Sequence, residues 1–186
     1  MVVLAIIVAF TGAISWYLFQ TYYKEEPTPM PEPTPEPPPY TPSAREKLYE
    51  VSKACIGKEM SPKDLADDEV ACVESLEGVY KWYKGKFISG HTTPLLSTYA
   101  LYIILKDHPD FVQVTEPEYG DIVVSPTGTG NGKIPHGHCG VVGKRDWMSN
   151  DSNTGLWQAN FTRAKWYAYY HDKGGYPVFF FRPVDK

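Results

Sequence analysis

The spacing of apolar residues changes along this chain and marks out its elements. Met1 to Phe19 (MVVLAIIVAFTGAISWYLF) is apolar throughout, carries no charged side chain and is about long enough to cross a bilayer. In Ser43 to Ile56, Leu48, Val51 and Cys55 recur at spacings of three and four, the period of an amphipathic helix. Ser43 is its N-cap and Glu46 completes a capping box. A second helix is predicted over Asp68 to Tyr83, with Val70, Val73, Leu76, Val79 and Tyr80 as its stripe and Asp67 or Asp68 as its cap. A third opens at His91-Thr92-Thr93-Pro94, with Thr93 as N-cap and Pro94 at the first helical position, and runs to about Lys106.

Beyond that point the period shortens. Phe111 to Val114, Asp121 to Ser125, His138 to Gly143, Trp147 to Asn150 and Tyr176 to Arg182 read as strands. Pro126 to Pro135 is rich in Gly, Thr and Asn and is a loop; Lys144-Arg145-Asp146 and Gly174-Gly175 are turns. Thr162 to Tyr170 is a short helix or an irregular aromatic segment. Helices first and antiparallel strands afterwards make an α+β fold.

This pattern divides the chain into three regions. Residues 1–23 read as a transmembrane anchor, with Trp16, Tyr17, Tyr22 and Tyr23 as an aromatic belt. The competing reading is a cleavable signal peptide, but the segment lacks a basic start and Thr11-Gly12-Ala13 is a weak cleavage site. Residues 24–42 are a linker: nine of the sixteen residues from Pro27 to Pro42 are proline. Such a segment extends at ~3.1 Å per residue and holds the folded domain roughly 50 Å from the membrane. A ligand for a proline-binding module is the alternative; a tether beside a membrane span is the simpler account. Residues 43–186 are the folded domain, membrane-anchored and single-pass, or secreted if the N-terminus is cleaved.

Charge and cysteine usage narrow the chemistry. The whole chain has 18 basic and 22 acidic residues; without Met1 to Pro42 it has 17 and 18, a net of −1. A nucleic-acid partner calls for a basic face, so none is expected. The three cysteines include no CxxC pair, which argues against a disulfide framework or a four-cysteine zinc site. His136-Gly137-His138-Cys139 invites a metal, but residues adjacent on a strand point apart and further ligands are missing, so neither metal nor cofactor is expected.

Alternation places His138, Gly140 and Val142 on one face of their strand and Cys139, Val141 and Gly143 on the other. His138 opens this strand and Asn150 closes the next, so antiparallel pairing sets them side by side. A histidine held by a carboxamide is half of a nucleophilic site, and the other half is a nucleophile elsewhere. Cys55 lies on an apolar helix face and reads as a core residue. Cys72 either packs in the same way or is reactive, since free N–H groups and the dipole at a helix start lower a thiol pKa.

A Gly-Asp pair opening a strand (Gly120-Asp121), a loop, His138-Cys139-Gly140-Val141-Val142-Gly143, and Asn150 a dozen positions on resemble the NlpC/P60 and CHAP groups. SNDSNTGLWQANFT and GGYPVFFFRP are similar to small phage-encoded domains of this kind. These are papain-like cysteine peptidases and amidases of bacterial cell walls. The resemblance covers Ser43 to Pro183 and implies helices packed on an antiparallel sheet, with peptidoglycan as the partner. It also implies that Cys72, in DDEVACVESLEGVYKWY, is the nucleophile, His138 the base and Asn150 the orienting residue. Asp151, or Ser149, takes the third role if the register slips by one. The family commonly has Asp before the cysteine, Ser-Gly after it and His as third residue; here stand Ala71, Val73-Glu74 and Asn150. The expected activity is hydrolysis of a stem-peptide amide, with the sugar–peptide amide as the alternative bond. A non-hydrolytic acyltransferase and an inactive wall-binding or assembly module on the same fold are the other classes. The cleft is expected beside the Pro126 to Pro135 loop. Trp147, Trp157 and Trp166 are candidates to line it, against the competing reading that they fill the core.

Overall fold

Ser43 starts the first helix by exchanging hydrogen bonds with Glu46. Its Oγ accepts from the Glu46 N–H at 3.3 Å, and its own N–H donates to Glu46 Oε2 at 2.9 Å. In this computed structural model the described residues are 39–61 and 71–185. The expected membrane anchor, nearly all of the linker and the Asp67 or Asp68 cap therefore lie outside the described residues. Among the described residues no helix is long and apolar enough to cross a membrane.

Helix α1 is Ala44–Ala54 and α2 is Cys72–Lys84, which ends at Gly85 in the left-handed region with φ of 75°. Helix α3 is Thr98–Asp107, shorter than the sequence predicts. The stretch from Thr93 to Ser97 is a loop because tertiary contacts override the local cap signal. Pro94 is buried and Leu95 packs on the core. The preceding turn is held to α2 by Glu77, whose buried carboxylate accepts from the N–H groups of Ile88 at 2.6 Å and Ser89 at 3.3 Å.

The strands are β1 Phe111–Val114, β2 Ile122–Ser125, β3 His138–Val141, β4 Asp146–Asn150, β5 Trp157–Thr162 and β6 Phe179–Pro183. They form one sheet in the order β1-β6-β2-β3-β4-β5, every described pair antiparallel. A short helix α4, Arg163–Trp166, leads into a π-helical stretch, Tyr167–Lys173. The fold is thus α+β, with its helices ahead of the sheet and one aromatic excursion between β5 and β6.

Both faces of the sheet are covered, which is why β2 is a continuous apolar run rather than an alternating one. Leu48, Val73, Leu76, Leu101 and Leu105 from the three long helices pack against Ile122, Val124, Cys139, Val141 and Phe181. Val123, Val142 and Phe180 point the opposite way and pack with Trp166, Tyr170 and Tyr176. The alternation expected for β3 therefore holds, with Cys139 on the helix face and His138 on the aromatic face.

Two glycines explain the motifs that surround these strands. Gly120 has φ of 90°, and a Cβ there would run into the Arg45 carbonyl of α1. Gly140 lies so close to β4 that a Cβ would meet the Met148 carbonyl and lie 3.0 Å from Ser149 Cβ. Close approach of β3 to β4 is what carries His138 and Asn150 toward the same end of the sheet.

Candidate functional site

Cys72 is the first residue of α2 and is buried, with Ala71 at the N-cap position making no side-chain cap. Helix α2 packs across β3, so the thiol meets the start of that strand. Cys139, directly after His138, sends its S–H to the Cys72 carbonyl oxygen at 3.3 Å. The Cys72 thiol is held well below the usual thiol range, first by a hydrogen bond from the Cys139 thiol. Burial opposes this, and the hydrogen bond and charge of His138 act in the same direction as Cys139. The Cys139 thiol is pushed the other way, well above the usual range, by burial and then by its neighbour Cys72. The His138 interaction is not a well-aligned hydrogen bond among the described residues; such contacts are commonly loose in a free site and tighten around substrate.

His138 is buried and its ring lies against an aromatic wall. Trp166 stacks on it at 5.2 Å between centroids and Tyr170 at 5.3 Å, with Phe161 at 5.7 Å. The wall is itself anchored, since Trp166 Nε1 donates to Ser125 Oγ at 3.1 Å. Burial, and then the charge of Cys72, push the Tyr170 phenol far above its usual range, so it stays protonated. Imidazole Nε2 is buried and has no hydrogen-bond partner among the described residues.

Asn150 is buried at the end of β4, and its Oδ1 accepts from Ser75 Oγ of α2 at 3.2 Å. Among the described residues Asn150 and His138 line one cleft with no hydrogen bond between them. Asp151 also lines it, and its Oδ1 accepts from the Asn153 N–H at 2.8 Å in the turn after β4. Ser149 is engaged with Asn160 Oδ1 at 2.7 Å. The β4–β5 register skips Asn160, which sits opposite no partner, and this bulge turns it toward the cleft.

The cleft has a volume of about 460 Å³ and includes Ile134, Pro135 and His136 from the loop before β3. Its other lining is largely polar, with Tyr169 and Tyr170 closing one side. Trp147, Trp157 and Trp166 do not line it; all three are buried in the core, which corrects the cleft-lining expectation. Cys55 is buried too, as its helix face implied. Among the described residues no three His, Cys, Asp or Glu side chains converge to hold a metal ion.

Several participants escaped the sequence. Ser75 stands three residues after Cys72, one helical turn on, and that spacing was the available sign. Tyr170 and Trp166 lie in TRAKWYAYY, whose aromatic density was visible but not its position. Glu74 is buried near Cys72 with neither carboxylate oxygen paired among the described residues. Burial first, and then the Cys72 charge, raise its pKa.

No family model matches the chain, and no curated protein matches it. Among solved structures, it is similar to a chain in the crystal structure of the type VI native effector–immunity complex Tae3–Tai3 from Ralstonia pickettii. The identity is 16%, the TM-score 0.46, and the likeness covers 76% of this chain and 99% of that one.

Proposed function

We propose that this protein is a cysteine-type peptidoglycan hydrolase on a papain-like, NlpC/P60-type fold, cutting an amide of the stem peptide. The observation that carries the proposal is the buried Cys72 thiol at a helix start, lowered in pKa first by Cys139 and then by His138, a residue that lines the polar cleft. The motifs of Gly120-Asp121 and His138 to Gly143 supply the substrate class.

In this scheme the Cys72 thiolate attacks the scissile carbonyl carbon, forming a C–S bond. The Cys72 N–H at the start of α2 donates to the oxyanion. His138 carries the thiol proton and delivers it to the leaving amine as the C–N bond breaks. Water, deprotonated by His138, then cleaves the thioester and releases the carboxylate. Asn150 orients His138 through the second lone pair of its Oδ1, since the first is occupied by Ser75. Asp151 is the runner-up for that role. Residues 1–23 anchor the domain and 24–42 space it from the membrane, toward the cell wall or periplasm.

A wall-binding module without turnover is the second reading. The His138 Nε2, which has no hydrogen-bond partner among the described residues, and the burial of Cys72 favour it. Digestion of purified sacculi with the full-length protein separates the two. New amino termini inside the stem, found by mass spectrometry, are the expected result. Release of whole stems from muramic acid makes the enzyme an amidase. Retention of the protein on sacculi without any product makes it a binder.

A further inference from the structure

Cys139 has no part in the reaction scheme, yet its contacts differ from those of an ordinary core cysteine. Cys55 and Cys139 are both fully buried. Among the described residues the Cys55 thiol makes no hydrogen bond, whereas the Cys139 S–H donates to the Cys72 carbonyl at 3.3 Å. The acceptor belongs to the first residue of α2, so this bond fastens the turn that presents the nucleophile. Register fixes the donor: Cys139 pairs with Val124 in the middle of the sheet and faces α2, while His138 pairs with Ser125 and faces the aromatic wall. Of these two consecutive β3 residues it is Cys139 that shares the α2 face with Cys72. The Cys139 thiol is also the first cause of the lowered pKa of the Cys72 thiol. One proton cannot serve the carbonyl and the sulfur together, but an S–H rotates about its Cβ–S bond at little cost.

We propose that Cys139 is a positioning residue for Cys72: its S–H holds the Cys72 carbonyl while the nucleophile is a neutral thiol and turns onto the Cys72 sulfur when that sulfur is an anion. The lowering of the Cys72 thiol by Cys139 is the direction expected of a donor beside the anion, and the 3.3 Å bond to the Cys72 carbonyl places that donor against the nucleophile. This inference rests on the proposed nucleophilic role of Cys72.

The test is the pH dependence of iodoacetamide addition to Cys72 in the full-length protein, read by mass spectrometry of the adduct. Among the described residues the titratable groups around Cys72 and Cys139 are His138 on β3, Tyr170 on the π-helical stretch, and Glu74 and Glu77 on α2 itself. Cys139→Ala is expected to move the midpoint up by about one to two pH units, the worth of a hydrogen bond to a charged group. Cys139→Val fills the site more fully, keeps the test valid if the smaller side chain loosens the fold, and is expected to shift the midpoint equally. Cys139→Ser, with a hydroxyl donor in the same place, is expected to restore it. An unchanged midpoint in the Ala and Val variants overturns the inference, and so does a shift that Ser fails to reverse, because packing then explains it. An unreactive Cys72 in the unsubstituted protein overturns the nucleophilic role itself, and this inference with it.

Discussion

Cys72→Ala is expected to lower kcat/KM on peptidoglycan by at least about 10³-fold, or roughly 4 kcal/mol of transition-state stabilisation. The variant removes the atom that forms the bond to carbon, and nothing beside it takes over. Cys139 is buried with its thiol pushed up in pKa, and Cys55 lies elsewhere in the core. Residual turnover then comes from the cleft and the oxyanion donor alone. Loss of one sulfur from a small side chain leaves the packing of α2 on β3 nearly intact, so the thermal midpoint is expected to stay close to that of the unsubstituted protein. Release of soluble fragments from sacculi measures the first quantity and a thermal melt the second. Activity within tenfold of the original, in a folded variant, means that Cys72 is not the nucleophile.

Asp121→Ala is expected to cost about 3–5 kcal/mol of folding stability, the typical penalty for breaking a buried charge pair by removing one partner. Asp121 is completely buried and takes a bidentate contact from Arg182, Nε at 3.0 Å and a terminal nitrogen at 2.9 Å. Its Oδ2 also accepts from the Glu118 N–H at 2.8 Å. Arg182 reaches Glu118 at 2.9 Å and Arg45 reaches the same carboxylate at 3.0 Å. The Asp121 contact thereby ties β6 to the entry of β2 and, through Glu118, to α1. Truncation leaves the guanidinium half-satisfied and the Glu118 N–H without an acceptor. Urea unfolding reads the loss; a change below about 1 kcal/mol would mean that solvent replaces the carboxylate at no great expense.

The parts of the fold that the sequence showed clearly are those governed by local rules. The Ser43–Glu46 box is a three-residue exchange and forms as expected. Phe111–Val114 and the two faces of β3 follow from a period of two. Gly120-Asp121 was legible as a turn, but the sequence could not show that Gly120 touches Arg45 or that Asp121 clamps Arg182, because those partners are distant along the chain. Thr93 and Pro94 carry a helix-start signal that fails, since burial of Pro94 and the Glu77 clamp hold the segment as a loop. Strand β5 was missed, though Trp157, Ala159 and Phe161 alternate with Gln158, Asn160 and Thr162; this edge strand follows a turn-rich run and is half-exposed. In the site, His138 and Asn150 line one cleft, and Cys72 begins the helix that packs on β3. Their connections were not legible: Asn150 is bonded to Ser75, and Cys139 contacts Cys72 because α2 packs on the face of β3 that alternation gives to Cys139.

The central claim is that Cys72 alone among the cysteines is an activated thiol, and alkylation of the native full-length protein against pH tests it most directly. A lowered pKa means that the thiolate fraction rises through the folded-state value and is already saturated at the ordinary thiol pKa of about 8.5. The predicted result is one adduct, at Cys72, with a rate that reaches its plateau below pH ~8. The Cys55 and Cys139 thiols, both raised by burial, stay unmodified until the protein unfolds. First modification at Cys139, or a Cys72 rate still climbing through pH ~8.5 as for a free thiol, would contradict the account.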